Sequence, residues 1–427
     1  MHPVGAPEEN NMSNGSPCEA AQTQFDEAAA FLELDPQLAE FLRNPVREFT
    51  FTVPVRLDND RTQIMQGYRV QHNDARGPCS GGFRWLHDEN LQCGRAMAAC
   101  NTWRAALLDL PLGGASGGLL YDSKLLSDAE KERAVRGWIR AIAPELGGHR
   151  DVVTPDLYTT PQIMAWMMDE FEALAGRAHP AVITGKPLVL GGTQGHTDAL
   201  ARGGVLAVRE ACKLLDLDAS ACSYAIQGFG HAGQHAALLH LEILGGGKLV
   251  AVSDSRGGIV NSAGLDPYAL VDYKRQHGKL TGFPGAESIS NEDLLELNVD
   301  ILYPAAKDNV ITNVNADQIN ARIVCALANG ATTPEADTML YLKCVHVIPD
   351  IIANAGGLIV SYFEQVQGNI NYYWTRDEVN ERLDARISAM LAQVHDVQLS
   401  RNVPLRFAAL LVAVTRVAEA VRARGWV

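Results

Sequence analysis

Three glycines in the middle of the chain have a spacing suited to phosphate binding. Gly228, Gly230 and Gly233 form a G-x-G-x-x-G pattern directly after an apolar run, residues 224–226, that predicts a short buried strand. A helix is predicted over residues 234–244, and its N-terminus would offer N–H groups and a partial positive charge to a pyrophosphate. The pattern predicts a dinucleotide-binding site, because glycines allow the backbone to approach the ligand closely.

An aspartate in the next strand points to the kind of dinucleotide. The predicted strand at residues 248–253 ends on Asp254, about twenty residues beyond the last glycine. Its carboxylate is placed to accept hydrogen bonds from a ribose 2′-hydroxyl, and its charge would repel a 2′-phosphate. The sequence therefore favours NAD over NADP. A glycine-rich turn without a ligand is the alternative, but the strand, the spacing and the acid together favour the nucleotide.

Composition excludes several classes of function. A chain of 427 residues with 47% hydrophobic and 20% charged residues is typical of a globular protein, and its length favours two domains. The net charge of −14 argues against a nucleic acid or an anionic membrane as partner. The longest apolar run, residues 407–414, is too short to span a membrane. Cysteines without C-x-x-C or metal-ligand spacing predict a cytoplasmic protein with no metal site.

The segments around the glycine turn indicate how the chain is organised. In the second half, short apolar strands alternate with helices, which is typical of a doubly wound parallel sheet. In the first half, polar and apolar residues alternate at 47–55 and 61–72, as expected for antiparallel strands. The strands predicted in the second half are residues 224–226, 248–253, 299–303, 323–326 and 345–348. Helices are predicted over residues 90–108, 128–142, 161–174, 197–215, 376–395 and 404–424.

Several long strings resemble the glutamate/leucine/phenylalanine/valine dehydrogenase family, and its glutamate branch most closely. These strings include Val70-Gln71-His72-Asn73-Asp74-Ala75-Arg76-Gly77-Pro78, Asp109-Leu110-Pro111, Thr184-Gly185-Lys186-Pro187, Asn354-Ala355-Gly356-Gly357 and Ser361-Tyr362-Phe363-Glu364. The resemblance implies that an amino acid and its 2-oxo acid are interconverted through an imine, with hydride transfer to or from a nicotinamide. It also implies a cleft between a substrate domain and an NAD(P) domain, and usually a homohexamer.

Pattern and resemblance together predict an α/β protein of two domains. Residues 1–24, which show no periodicity, are predicted to be a disordered tail. Residues 25–195 are expected to form an α/β substrate-binding and oligomerisation domain. Residues 196–360 are expected to form a Rossmann domain that binds NAD. Residues 361–427 would form C-terminal helices that pack back across both domains.

The residues that the resemblance assigns to catalysis depart from the family pattern. Ser80 stands where the family has a lysine for the side-chain carboxylate of the substrate, and Ser116 stands in place of the catalytic lysine. Arg104 replaces the lysine that binds the α-carboxylate, and its planar guanidinium can still bind a carboxylate through two hydrogen bonds. Asp156 matches the aspartate that acts as acid and base in the family.

The resemblance assigns further residues to the two binding sites. Thr197 and Asn329 belong to the implied cofactor site, together with His231, which stands where the family usually has asparagine. Leu358, where the glutamate branch usually has valine, adds apolar bulk to the implied substrate pocket. Ser361 is retained there and offers a hydroxyl without a charge.

The two serines allow three hypotheses about function. A serine cannot change its charge near neutral pH as a lysine in a cleft can, and loss of a general acid or base typically costs ~10²–10⁴-fold in rate. The chain is then an active NAD-linked dehydrogenase with another acid–base arrangement, a free-standing sensor, or an impaired subunit that tunes a catalytic glutamate dehydrogenase paralogue in a homo- or hetero-hexamer. Ser80 and Ser116 favour the impaired regulatory subunit, which would bind NAD and a neutral amino acid, leucine being the best single guess.

Overall fold

The computed structural model describes residues 17–85 and 91–427, which form two α/β domains with separate sheets. The first domain contains helices α1 (Pro17–Phe31), α2 (Pro36–Arg43), α3 (Leu91–Leu107), α4 (Asp128–Ile142) and α5 (Pro161–Ala175) and strands β1 (Arg47–Arg56), β2 (Thr62–Asn73), β3 (Cys79–Trp85), β4 (Gly113–Leu119) and β5 (Asp151–Pro155). Its strand order is β1-β2-β4-β3-β5. β1, β2 and β4 pair antiparallel, whereas β4, β3 and β5 run parallel.

The second domain is built around the glycine turn that the sequence predicts. Its strands are β6 (Ser223–Gln227), β7 (Lys248–Asp254), β8 (Gly257–Val260), β9 (Glu287–Ile289), β10 (Ile301–Pro304), β11 (Ile323–Cys325) and β12 (His346–Ile348). Its helices and those that follow are α6 (Ala199–Leu214), α7 (His231–Leu244), α8 (Pro267–His277), α9 (Asn291–Leu295), α10 (Pro334–Leu342), α11 (Asp350–Ala353), α12 (Ala355–Ile370), α13 (Arg376–Arg401) and α14 (Leu405–Ala423). The strand order is β12-β11-β10-β6-β7-β8-β9.

The prediction of a doubly wound parallel sheet is confirmed for the centre of this domain. The five strands predicted there correspond to β6, β7, β10, β11 and β12, and all of them run parallel. The two remaining strands, β8 and β9, extend the sheet antiparallel at one edge. They are short segments without a clear alternation of polar and apolar residues, and their position is set by the pairing of β8 with β7 and of β9 with β8.

The glycine-rich strands β3 and β4 and the short strand β5 have no counterpart among the predicted segments. Glycine is depleted in strands because it adds backbone entropy and no packing. The structure shows why it is needed here: a Cβ atom on Gly81 would lie only 1.6 Å from the carbonyl oxygen of Ala115 on the neighbouring strand. The two strands therefore pack too closely for a side chain at this point.

The predicted disordered tail, residues 1–24, needs a correction in its C-terminal part. Helix α1 begins at Pro17, so the segment is helical from that residue on, and residues 1–16 lie outside the described residues. The helix is anchored by Phe25, whose ring stacks on that of Trp103 with centroids 5.3 Å apart. This contact with α3 is non-local, which is why local composition does not reveal it.

The C-terminal helices pack against helices of both domains. Helix α14 contacts α3 of the first domain, and α13 contacts α6 of the second. The guanidinium of Arg416 donates hydrogen bonds to the carbonyls of Ala106 and Leu107 at the end of α3, at 2.7 and 2.8 Å. One hydrophobic cluster runs through α1, α3, α6 and these helices. Within residues 17–85 and 91–427, no helix is long and apolar enough to cross a membrane.

Candidate functional site

Ser80 and Ser116, which stand where the resemblance implies lysines, lie on one face of the first sheet. Strands β3 and β4 pair Ser80 with Gly114 and Arg84 with Gly118. Since alternate residues of a strand face the same side, Ser80, Arg84 and Ser116 share a face. Both serines are buried, and the Ser116 hydroxyl has no hydrogen-bond partner among the described residues. A buried hydroxyl without a partner carries a desolvation cost that a bound ligand would relieve.

Asp156 lies over the same face, directly after β5. One carboxylate oxygen accepts the backbone N–H of Leu157 at 2.8 Å, and the other lies 3.3 Å from Nε of Arg84. A Cβ atom on Gly82 would lie 2.5 Å from the Cβ of Asp156, so glycine leaves the room that the aspartate occupies. The structure thus brings the predicted acid–base residue to the face that carries Ser80 and Ser116.

A buried arginine braces this part of the sheet. Arg69 on β2 forms an ion pair with Asp151 that is completely inaccessible to solvent. Its guanidinium also donates to the carbonyl oxygens of Gly81 and Val152, at 3.1 and 3.2 Å. A buried charge pair persists only when its remaining hydrogen-bonding groups are satisfied. Arg69 therefore fixes β2, β3 and β5 relative to one another, although the sequence analysis does not single it out.

Arg104, the predicted α-carboxylate ligand, reaches from α3 to the second domain. It donates to Oδ1 of Asn329 at 2.8 Å, and it lies 3.6 Å from the carboxylate of Asp350. Asn354 donates to the same oxygen of Asn329 at 2.6 Å. Burial would raise the pKa of Asp350, but the charges of Arg406 and Arg104 outweigh it and hold that pKa below its usual value. Asp350 is therefore an anion that orients the Arg104 guanidinium.

Ser361, predicted for the substrate pocket, lies on α12 beside two groups that the sequence analysis does not single out. Its hydroxyl is 3.3 Å from Nε2 of His196. One turn further on, Glu364 forms a fully buried ion pair with Lys186 at 2.6 Å. The predicted pocket residue Leu358 is half-buried and packs against the hydrophobic core.

Two polar residues of this region could be recognised only in part from the sequence. The hydroxyl of Thr184 is buried and has no partner among the described residues. Thr184 begins the string Thr184-Gly185-Lys186-Pro187, which resembles the family. The resemblance therefore marks the segment, but it does not single out the Thr184 hydroxyl. His196 lies in the loop before α6, and nothing in its local sequence marks it as a neighbour of Ser361.

The glycine turn has the shape that a dinucleotide needs. Gly228 has a φ of +94°, a conformation that favours glycine, and a Cβ atom on Gly233 would lie 2.1 Å from the carbonyl oxygen of Gly228. A Cβ atom on Gly230 would meet nothing within 4 Å. Gly230 is the N-cap residue of α7, and no side chain caps this helix N-terminus. The open helix end fits a pyrophosphate. His231 is exposed at its rim, with its ring 4.6 Å from that of His235.

Asp254, at the end of β7, carries a partner that the sequence analysis did not include. One oxygen accepts the backbone N–H of Arg256 at 2.9 Å, and the other lies 3.1 Å from Nζ of Lys274 on α8. The carboxylate keeps further lone pairs for ribose hydroxyls. Thr197, also predicted for the cofactor, lies exposed in the loop before α6. Among the described residues, no cluster of His, Cys, Asp or Glu could hold a metal ion.

The two domains have the fold of an amino-acid dehydrogenase, and comparison with known proteins identifies the family. Residues 45–173 match the family model described as Glu/Leu/Phe/Val dehydrogenase, dimerisation domain. Residues 191–425 match the model described as Glutamate/Leucine/Phenylalanine/Valine dehydrogenase. The chain belongs to the glutamate/leucine/phenylalanine/valine dehydrogenase family.

The relatives are glutamate dehydrogenases. The chain is 44% identical over 407 residues to the glutamate dehydrogenase of Thermotoga maritima and 40% identical to the NAD-specific glutamate dehydrogenase of Staphylococcus aureus. Each alignment covers 95% of this chain and 98% of the relative. Two solved structures, each 34% identical, cover 96% of the chain. One is the glutamate dehydrogenase from Peptoniphilus asaccharolyticus, which is matched over its full length with a TM-score of 0.87. The other is the leucine-bound hetero-hexameric glutamate dehydrogenase from Thermus thermophilus, which is matched over 98% of its chain with a TM-score of 0.89.

Proposed function

We propose that this chain is a catalytically impaired, regulatory member of its family that binds NAD(H) and a neutral amino acid. The observation that carries the proposal is Ser116. At the position where the resemblance puts the catalytic lysine, the chain has a buried serine whose hydroxyl lacks a partner among the described residues. A hydroxyl can donate one hydrogen bond. It carries no positive charge to stabilise a polarised carbonyl, and its pKa is too high for it to act as a general acid near neutral pH.

The remaining groups can bind and orient ligands better than they can move protons. The Gly228–Gly233 turn would hold the pyrophosphate and Asp254 the adenosine ribose. The nicotinamide cofactor supplies the hydride chemistry when it is bound. Asp156 is a carboxylate that could accept a proton, and its Oδ2 lies 3.3 Å from Nε of Arg84. The lysine that would exchange this proton, as the resemblance implies, is Ser116 in this chain.

The charges around the cleft favour a neutral amino acid over glutamate. Arg104 can bind the α-carboxylate, whereas Ser80 offers no charge to a second carboxylate. Other cations of this region are already paired, Arg84 with Asp156 and Lys186 with Glu364. Burying an unpaired carboxylate costs on the order of several kcal/mol. A neutral side chain avoids this cost, and leucine is the best single choice for the apolar surroundings of Leu358.

The second candidate function is an active NAD-dependent dehydrogenase that interconverts an L-amino acid with a 2-oxo acid and ammonia. The relatives at 44% and 40% identity are named as glutamate dehydrogenases, and Asp156 is retained. Activity of the purified chain distinguishes the two candidates.

The unmodified chain should show little or no glutamate oxidation on its own. Ser116→Lys should raise the rate, and the double change with Ser80→Lys should raise it further, by about 10²-fold or more, because the charge and a titratable group are restored. NADH formation is the measurement. Ser400→Lys, on the exposed side of α13, is the matched control and should change nothing. Robust turnover by the unmodified chain would show that the impaired-subunit proposal is wrong.

NADH should bind more tightly than NADPH in titration calorimetry. Asp254→Ala should reduce the difference between the affinities for NADH and NADPH, because the carboxylate that repels the 2′-phosphate is lost. Lys274→Met should widen it, since Lys274 compensates the charge of Asp254 at 3.1 Å. Arg275→Met on the same helix is the control, because Arg275 is exposed and pairs with Asp272. Equal affinities for NADH and NADPH in the unmodified chain would contradict the assignment of Asp254.

Leucine should bind more tightly than glutamate or 2-oxoglutarate when NADH is present. The reason is the missing cation at Ser80, and a thermal-shift or calorimetric panel of amino acids measures the order. Ser80→Lys should strengthen the binding of glutamate relative to that of leucine. Tighter binding of glutamate by the unmodified chain would mean that the charge argument fails.

The chain should also assemble with a catalytic glutamate dehydrogenase paralogue where one is present. The match to a dimerisation domain and the hetero-hexamer among the similar structures support this expectation. Co-expression with such a paralogue, followed by size-exclusion chromatography, should give mixed assemblies whose activity depends on leucine. Separate elution of the two chains, with unchanged activity, would speak for a free-standing protein.

A further inference from the structure

His196 occupies a position between the predicted pocket and a buried ion pair. Its Nε2 lies 3.3 Å from the hydroxyl of Ser361. Two charged groups face it. Glu364 lies on α12, the helix that carries Ser361, and Lys186 lies in the segment between α5 and α6. None of the roles assigned above to catalysis or cofactor binding includes this histidine.

The ion pair beside His196 is completely buried. The Lys186 ammonium bonds Glu364 and the carbonyl of Ile183, each at 2.6 Å, and is completely buried. The Glu364 carboxylate also accepts the backbone N–H groups of Gly185 and Thr193. The two charges neutralise each other, and His196 is the titratable group that contacts the Ser361 hydroxyl.

We infer that His196 sets the charge of the amino-acid side-chain pocket and thereby its choice between neutral and acidic side chains. In its neutral form it engages the Ser361 hydroxyl, and the pocket accepts an apolar side chain. In its cationic form it supplies the positive charge that a second carboxylate requires. The inference rests on the proposed function, since it places the side chain of a bound amino acid beside Ser361.

The direction of the pH dependence follows from burial. Burial lowers the pKa of His196 from its ordinary value, so the imidazole is neutral at pH 7. A second carboxylate would stabilise the imidazolium and raise this pKa in the complex. Glutamate affinity should therefore increase as the pH falls and level off once the free protein is also protonated. Leucine has no second carboxylate and gains nothing from the proton.

The test is titration calorimetry with glutamate and leucine in the presence of NADH, at about pH 7.5 and about pH 5.5. In the unmodified protein, glutamate affinity should rise about ten-fold towards the lower pH, while leucine affinity changes little. His196→Gln should abolish the rise and keep leucine binding. His196→Arg should bind glutamate about ten-fold more tightly than the unmodified protein at the higher pH. His277→Gln, an exposed histidine on α8, is the matched control.

Each result decides between the inference and its alternatives. NADH binding and the thermal unfolding midpoint, measured for every variant, report whether it has folded. If His196→Gln does not fold, His196→Arg and the pH profile of the unmodified protein still provide the test. A glutamate profile that is the same with and without His196 would overturn the inference and leave leucine binding, and thus the proposed function, intact. Failure of both amino acids to bind at either pH would overturn both.

Discussion

The close contact of two glycine-rich strands is the constraint on which the rest of the site depends. β3 and β4 pack so tightly that a Cβ atom on Gly81 would overlap the backbone of Ala115. This spacing puts Ser80 and Ser116 on one buried face, and the missing side chain of Gly82 leaves the space that Asp156 fills. Arg69 then ties the strands together from the other side through carbonyl oxygens and Asp151. The two serines and Asp156 are thus held on one face, at positions where the resemblance implies the catalytic groups of the family.

Charge pairing determines what this preserved geometry can do. In a low-dielectric cleft an ion is stable only with a partner, and Arg104, like the two cations named next, faces an anion. Arg84 faces Asp156, and Lys186 faces Glu364. At the two positions where the resemblance implies lysines, the chain has uncharged hydroxyl groups. The cleft retains hydroxyl groups that can orient a ligand, and this is why the proposed function is binding rather than turnover.

The two domains are joined by a polar network as well as by the apolar core. Arg104 on α3 bonds Asn329 and faces Asp350, and Asp350 is in turn paired with Arg406 on α14. The residue predicted to bind the α-carboxylate and a residue predicted for the cofactor therefore share one hydrogen-bond network. The carboxylate of Asp350 is buried, so loss of its cationic partners would leave an unpaired buried charge. Asn354 donates a second hydrogen bond to the side-chain oxygen of Asn329.

The sequence by itself determined the features that depend on local spacing. The glycine turn, the aspartate at the end of β7, the strands of the parallel sheet and the long helices follow from periodicity, and the departures at Ser80 and Ser116 follow from resemblance. The tertiary structure alone decided the pairing of β3, β4 and β5, the partners of Asp254 and Arg104, and the position of His196 beside Ser361. These depend on contacts between residues far apart in the chain, and neither propensity nor spacing encodes which distant group will satisfy a buried charge or hydroxyl.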